Sequence, residues 1–365
     1  MPNITVHLPQ ICLIKDAKMM NCKIFLGLSG GVDSSVSALL LREAGYEVHG
    51  VMLLLKPPSA QREREAAQAQ NTANELGIPL HFLDAVQLFH DTVINNFISE
   101  YKIGHTPNPC VLCNPTVKFA ALLSFAASMG GGKIATGHYV EKIRLPDGTA
   151  ALRRHKSRKD QSYFLCRLTE AQLEAAEFPL APYHKEEVRA IAAEHGLPCA
   201  SQSDSQEICF IPDGDYGRFL TETGGLQAQP GHFIDKNGKI LGQHRGIIHY
   251  TLGQRRGLEI ALGERMYVSN LNPTDNTVTL CTEQERYQTE LFVRDLHMVH
   301  GDIPREAFSA DVKVRSTAAP VPAQITPQAD GTCRITLSKK QTAAAPGQTA
   351  AFYRDDILLG GATIL

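Results

Sequence analysis

The sequence predicts an α/β protein: a parallel sheet covered by helices, then a small central β-rich domain, then a C-terminal antiparallel β-barrel. Three observations carry this expectation. From Lys23 onward, strand-length apolar runs alternate with helix-length ones, the pattern of a parallel sheet with helices on both faces. After Ile211 the rhythm breaks at Asp213-Gly214 and Gly224-Gly225, and Gly231, Gly238, Gly242, Gly246, Gly253 and Gly257 punctuate short β-rich segments. From Tyr267 onward the runs YVSNL, TVTLC, DVKVRS, CRITLS and TAAFYR are separated by turns and show no helical period, so they are assigned to the barrel.

In chain order, KIFLGL (23–28) reads as a strand, VDSSVSALLLREAG (32–45) as a helix and YEVHGVMLLL (46–55) as a second strand. A polar helical stretch over 62–76 is closed by Gly77, and 79–83 follows as a strand. Helical patterns recur over 86–101 and 117–129, and after three glycines 133–136 forms a further strand. Residues 1–20 read as a dispensable leader, disordered or untranslated, because the first strand begins only after Met19 and Met20. The expected domains are 21–212, 213–275 and 276–365.

Hydrophobic residues make up 43% and charged residues 20% of 365, which excludes a disordered or fibrous chain. No continuous apolar run reaches the ~18–20 residues that span a bilayer, so an integral membrane protein is not expected. The N-terminus lacks a basic region followed by an apolar core, so it is no secretory signal. Nine cysteines, an odd number, are too few for a disulfide scaffold and point to a reducing compartment, the cytoplasm. Net charge is −2, yet residues 101–159 hold ten Lys/Arg against two acids. That stretch is either a solvated basic face or a contact surface for a phosphate backbone, and charge alone does not choose.

The string Ser29-Gly30-Gly31-Val32-Asp33-Ser34 lies between the first strand and the first helix. Adjacent glycines let backbone N–H groups turn toward an anion, and the helix N-terminus behind them adds a favourable dipole. Ser29 and Ser34 can add hydroxyl donors, whereas Asp33 suits a phosphate site only through a metal or a capping role. A Walker A loop is excluded, since no G-x-x-x-x-G-K-[ST] occurs.

Cys110 and Cys113 form C-x-x-C inside GHTPNPCVLCN (104–114). The Thr106-Pro107-Asn108-Pro109 segment is expected to hold the pair on a rigid loop ahead of a helix starting near Thr116. A thiol there, close to Lys118, is expected to have a lowered pKa. Cys209 lies in SQEICFI at the expected domain boundary. Cys12, Cys22, Cys166, Cys199, Cys281 and Cys333 read as small buried hydrophobes. With no second C-x-x-C, a four-cysteine zinc site is excluded.

The string SGGVDS resembles the pyrophosphate loop of the ATP pyrophosphatase (PP-loop) family, which cleaves ATP between its α and β phosphates to adenylate a substrate oxygen. Taken with GHTPNPCVLCN, ATGHY, KDQSYFL, EICFIPDGDYGRFL, YTLGQRRGLEI and APGQTAAFY, it extends the resemblance across residues 23–361 to the bacterial tRNA-specific 2-thiouridylases of the MnmA type. The resemblance implies replacement of O2 of a tRNA wobble uridine by sulfur, with ATP and Mg²⁺ as cofactors, tRNA as substrate and a cysteine desulfurase or sulfur-relay protein as donor. It further implies a chain that is monomeric when free.

Residue by residue, the resemblance implies that Cys209 carries a persulfide and that Cys113 is its partner nucleophile, closing a Cys113–Cys209 disulfide. Gly27, Leu28, Ser29, Gly30, Gly31, Val32, Asp33 and Ser34 match the ATP loop, with Leu53 beside the adenine and Gly137 as a further nucleotide contact. His138, Lys159, Asp160 and Gln161 correspond to tRNA contacts. Asn108, Pro109 and Cys110 fall where the target base is held, and Arg315, Ser316 and Gln348 would be contacts from the barrel. Three features depart from the pattern: Cys110 stands where many members carry Asp, Ser316 where an aromatic is common, and the stretch after Leu55 lacks the usual pattern before LGIP. Two alternatives stay open: a thiolase whose Cys110, Cys113 and Cys209 hold a [4Fe–4S] cluster, and a tRNA-binding protein without catalysis.

Overall fold

The computed structural model describes residues 22–201, 207–260 and 262–365; the leader and Cys12 lie outside them. Its first elements are β1 (Lys23–Gly27), α1 (Val32–Glu43), β2 (Glu47–Leu54), α2 (Ala60–Leu76) and β3 (Leu80–Asp84). Next come α3 (Val86–Phe89), α4 (Asn95–Lys102), α5 (Pro109–Cys113) and α6 (Ala120–Ser128), then β4 (Lys133–Ala135), β5 (Glu141–Arg144) and β6 (Ala150–Arg153). After α7 (Glu170–Ala175), β7 (Ala176–Glu177), α8 (Lys185–Glu194) and α9 (Tyr216–Glu222) the chain is β-rich. Two compact units emerge: Met1–Val86 with Lys118–Asp160 and Ala171–Asp204, and Gln87–Val117 with Gln161–Glu170 and Ser205–Leu365.

In the first unit five parallel strands take the order β3-β2-β1-β4-β7. β1 is buried on both faces, as a central parallel strand requires. Ile24 and Leu26 join Val36, Leu39 and Leu40 of α1 in the main core, while Phe25 packs edge-on against Phe125 of α6. β1 leads to β2 on one side, and β4 lies on its other side, so the chain direction across the sheet reverses between β1 and β4. Ligands of open α/β sheets bind beyond the carboxyl ends of such a strand pair.

In the second unit β8 (Gly231–Ile234), β9 (Ile240–His244), β10 (Met266–Asn272) and β11 (Thr277–Thr282) form a four-stranded sheet in the order β10-β11-β8-β9. β12 (Tyr287–Met298), β13 (Phe308–Lys313), β14 (Val321–Pro327), β15 (Cys333–Thr342), β16 (Thr349–Arg354) and β17 (Ile357–Ile364) form an antiparallel barrel, closed by pairing of β12 with β17. Its interior holds Val293, Val312, Ile325, Ile335, Phe352 and Ile364.

Two expectations are corrected, and one helix is added that the sequence reading did not contain. YVSNL and TVTLC belong to the central sheet, where β11 pairs in parallel with β8 and antiparallel with β10; residues 277–282 are therefore not barrel strands. Tyr216–Glu222 is helical although it sits between two glycine breaks, because Asp215 caps it by accepting from the Arg218 N–H (2.9 Å). Pro109–Ser128 forms one helix, interrupted by a π segment over Asn114–Phe119 that contains Pro115. By length and composition this helix is apolar enough to cross a membrane, which the sequence reading did not foresee. The burial of Val111, Val117, Phe119, Leu122 and Ala126 explains its composition as that of a core helix.

Candidate active site

The Ser29-Gly30-Gly31 loop leaves β1 at its carboxyl end, and Thr136-Gly137-His138 leaves β4 at the same edge. The two loops flank the crevice that the strand order predicts. Gly30 has φ +77°, and a Cβ there would lie 2.6 Å from the Ala69 backbone nitrogen, so only glycine fits. A Cβ on Gly137 would meet the backbone of Asp33 and Ser34 at 3.1–3.2 Å, which shows how closely the β4 loop lies on α1. No side chain caps α1 at Gly31, leaving first-turn amides available to an anion. Ser34 Oγ accepts from the Ser29 N–H (3.2 Å) and lies 3.2 Å from the exposed Ser29 hydroxyl. This chemistry fits a polyphosphate. Leu28 and Val32 are core residues that shape the loop, and Gly27 and Leu53 are half-buried near the ends of their strands.

Asp33 Oδ1 accepts from both Lys185 Nζ and the Tyr139 hydroxyl, each at 2.7 Å. The sequence reading missed Lys185. A signal was present, since a lysine in the first turn of a helix opposes the dipole and needs a local anion, and this one is only 7% exposed. The pair neutralises a carboxylate that would otherwise repel phosphate. Among the described residues no group of three or more His, Cys, Asp or Glu side chains is arranged to hold a metal ion. Mg²⁺ needs less, since it commonly takes one or two carboxylates with substrate phosphates, and Asp33 is the acid at the loop.

His138 is hydrogen-bonded through Nδ1 to the Thr136 hydroxyl (2.8 Å). Burial, and then the nearby Lys118 charge, push its pKa down to about 3, so the imidazole is neutral at pH 7 and can act only as a hydrogen-bonding or stacking group. In the basic stretch Arg153 already pairs with Glu141 (3.2 Å) and Arg154 with Asp160 (3.6 Å). The Asp160 carboxylate, 6% exposed, also accepts from the His155 N–H and so faces its own loop rather than a ligand. Lys102, Arg144, Lys156, Arg158 and Lys159 are the exposed cations of the stretch, Arg144 paired with Glu174 (2.6 Å), and Gln161 is half-buried.

In the second unit the cysteines are placed differently from the sequence expectation. The C-x-x-C pair is not on a loop ahead of a helix but forms the first turn of one. Pro109 occupies the first helical position, where its missing N–H breaks nothing and its φ is preset. Cys113 is 4% exposed and Cys110 half-buried. Asn114 Nδ2 donates to the Phe164 carbonyl (2.9 Å), fixing the end of the turn. Barrel loops hold the preceding segment: the Thr106 N–H donates to the Pro346 carbonyl (2.8 Å) and Gln348 Nε2 to the Thr106 carbonyl (2.9 Å). Asn108 bonds the Tyr163 hydroxyl, which donates to the Thr349 carbonyl (2.8 Å).

Cys209 is exposed. Its neighbour Phe210 is anchored among Phe89, Phe97 and Phe219, with ring centroids 5.2–5.6 Å apart, so the segment is held beside the exposed Cys209. A cavity of about 590 Å³ joins the two segments: Asn108, Pro109 and Cys110 line one part, Glu207 and Ile208 another, and Gln348 a third. Tyr216, Arg245, His249 and Gln254 are among the other lining residues and were not found from sequence. Glu207 Oε2 lies 3.3 Å from the Tyr216 hydroxyl, and burial, Glu207 and Cys110 together raise the Tyr216 pKa. Cys166, Cys199, Cys281 and Cys333 are buried as expected, with burial pushing Cys166 up to about 12, whereas Cys22, expected to be buried, is only half-buried at the start of β1. Among the described residues, Cys110, Cys113 and Cys209 do not fall in a group of three or more side chains arranged to hold a metal ion. Arg315 and Ser316 are half-buried at the end of β13.

Three family descriptions match consecutive parts of the chain: a tRNA methyl transferase HUP domain over residues 22–213, a tRNA methyl transferase PRC-barrel domain over 218–282 and an aminomethyltransferase beta-barrel domain over 288–364. The chain is 41% identical to tRNA-specific 2-thiouridylase MnmA 1 of Clostridium botulinum over 354 residues, covering 94% of this chain and 99% of that one. It is 44% identical to tRNA-specific 2-thiouridylase MnmA of Acetivibrio thermocellus over 359 residues, covering 95% and 100% respectively. On the strength of that near-complete alignment and of all three domains in order, the chain belongs to the MnmA-type tRNA-specific 2-thiouridylase family.

Proposed function

We propose that this enzyme performs its family's reaction, 2-thiolation of uridine in tRNA, by ATP-dependent adenylation of O2 followed by transfer of sulfur from a persulfide on Cys209. The observation that carries the mechanism is the cavity in which the Asn108-Pro109-Cys110 turn and the segment leading to Cys209 meet. The Ser29–Ser34 loop, with the helix dipole and the neutralised Asp33, holds the triphosphate and with Mg²⁺ stabilises the departing pyrophosphate. A new O2–phosphorus bond makes O2 a good leaving group. The terminal persulfide sulfur then attacks C2, and AMP leaves with the original O2. Cys113 attacks Cys209 Sγ, the persulfide S–S bond breaks, sulfur stays on C2 and a Cys113–Cys209 disulfide closes. Two electrons from a thiol reductant reopen it.

The exposure of Cys209 suits loading by a cysteine desulfurase or relay protein, and the burial of Cys113 suits a resolving thiol protected from premature oxidation. The division into an ATP domain, a central domain and a barrel, a monomeric free state and a cytoplasmic site of action belong to the same reading. The test is incubation of the full chain with unmodified tRNA, ATP, Mg²⁺ and a persulfide source, followed by nucleoside mass spectrometry. The expected product is 2-thiouridine, dependent on ATP; a bound but unmodified tRNA would leave a binding protein instead.

A further inference from the structure

Residues 251–257, TLGQRRG, form a stiff turn. The Thr251 N–H donates to Gln254 Oε1 (3.0 Å), the Gln254 N–H to the Thr251 carbonyl (3.0 Å) and Gln254 Nε2 to the Arg256 carbonyl (2.9 Å). The Gly253 N–H donates to the Val268 carbonyl (2.8 Å) and the Val268 N–H returns to the Gln254 carbonyl (3.0 Å), which pins the turn to β10. Thr251 and Gln254 line the cavity beside Cys110, as does Arg245. The next two residues, Arg255 and Arg256, are exposed. Arg315 lies against the same turn, since a Cβ on Gly253 would be 3.3 Å from its Nη2. Among the described residues none of these four guanidinium groups forms an ion pair with a carboxylate.

Uncompensated arginines gathered beside a cavity of nucleotide size fit a ligand that inserts one group and carries anions on either side. A single-stranded RNA segment with one base turned into the pocket has that form. We infer that the TLGQRRG turn, with Arg245 and Arg315, clamps the phosphates flanking the nucleotide whose base enters the cavity. The inference rests on the thiouridylase reading and adds the surface that fixes the register of the RNA.

The test compares wild type, Arg255→Ala/Arg256→Ala and Arg255→Lys/Arg256→Lys by tRNA binding across a salt series. Because the alanine variant leaves two single-strand phosphates without a cation, its log–log slope becomes shallower by about 1.4, or ~0.7 per phosphate. The lysine variant keeps the wild-type slope and thereby shows that charge rather than folding is at issue. Persulfide loading of Cys209 by a desulfurase is unchanged in both. A wild-type slope in the alanine variant, or a defect confined to persulfide loading, would overturn the clamp, and the latter would make the turn a protein-docking site. Wild-type enzyme that binds tRNA with the expected slope yet makes no 2-thiouridine would remove the functional reading and leave the clamp standing.

Discussion

Cys113→Ser and Cys209→Ser are each expected to bring 2-thiouridine formation below detection, while Cys110→Ala retains measurable turnover. The serine hydroxyl is neither a sulfur carrier nor a thiolate nucleophile, so each replacement removes one half of an obligatory exchange. Cys209 is exposed, and Cys113 is buried in the first turn of its helix. Cys110 lines the cavity one helical turn from Cys113 and contributes to the raised Tyr216 pKa. The two serine variants also separate from each other. Cys113→Ser should still accept a persulfide on Cys209, detected as a 32-dalton adduct by mass spectrometry (the ~32 Da of one sulfur atom, transferred as in thiol–disulfide exchange), and Cys209→Ser should accept none at Cys113. If Cys110→Ala lost all activity together with an oxygen-sensitive, stoichiometric iron–sulfur centre, the persulfide route would give way to cluster chemistry.

Asp33→Ala, Ser34→Ala and Lys185→Met should each reduce tRNA-dependent pyrophosphate release by about 10²-fold or more, the scale of losing one preorganised electrostatic group. Removal of Asp33 takes from Lys185, a buried cation, its 2.7 Å carboxylate partner. Loss of Lys185 leaves the Asp33 carboxylate with the Tyr139 hydroxyl and returns a negative charge to the loop proposed to hold phosphate. In all three variants tRNA affinity should stay within a few-fold, because these groups face the loop and not the basic surface. The lysine replacement discriminates furthest, since Lys185→Arg keeps the charge and should recover part of the rate. Wild-type pyrophosphate release in Asp33→Ala or Ser34→Ala would remove this loop from the chemistry.

The first unit was legible because its signals are local and redundant: an apolar β1, a glycine pair that permits φ +77° at Gly30, and a helix directly behind them. What escaped was set by distant pairing. Lys185 meets Asp33 from more than 150 positions away, and only its position at a helix start hinted at the partner. Strand Thr277–Thr282 has the same alternation as a barrel strand, and its parallel pairing with β8 cannot be read from its own residues. At Pro109 the error was one of rule choice, since proline was treated as a helix breaker at the one helical position that favours it. The cavity lining escaped for a related reason, because Tyr216, Arg245 and His249 come from separate stretches that folding brings around Cys110.

The most direct measurement uses tRNA carrying ¹⁸O at O2 of the target uridine, with the full chain, ATP, Mg²⁺ and a persulfide donor. If O2 is adenylated and displaced, each 2-thiouridine formed is matched by one ¹⁸O-labelled AMP and one unlabelled pyrophosphate. Label appearing in water or phosphate, retained in the nucleoside, or released without ATP cleavage would contradict adenylation of O2 as the step that admits sulfur.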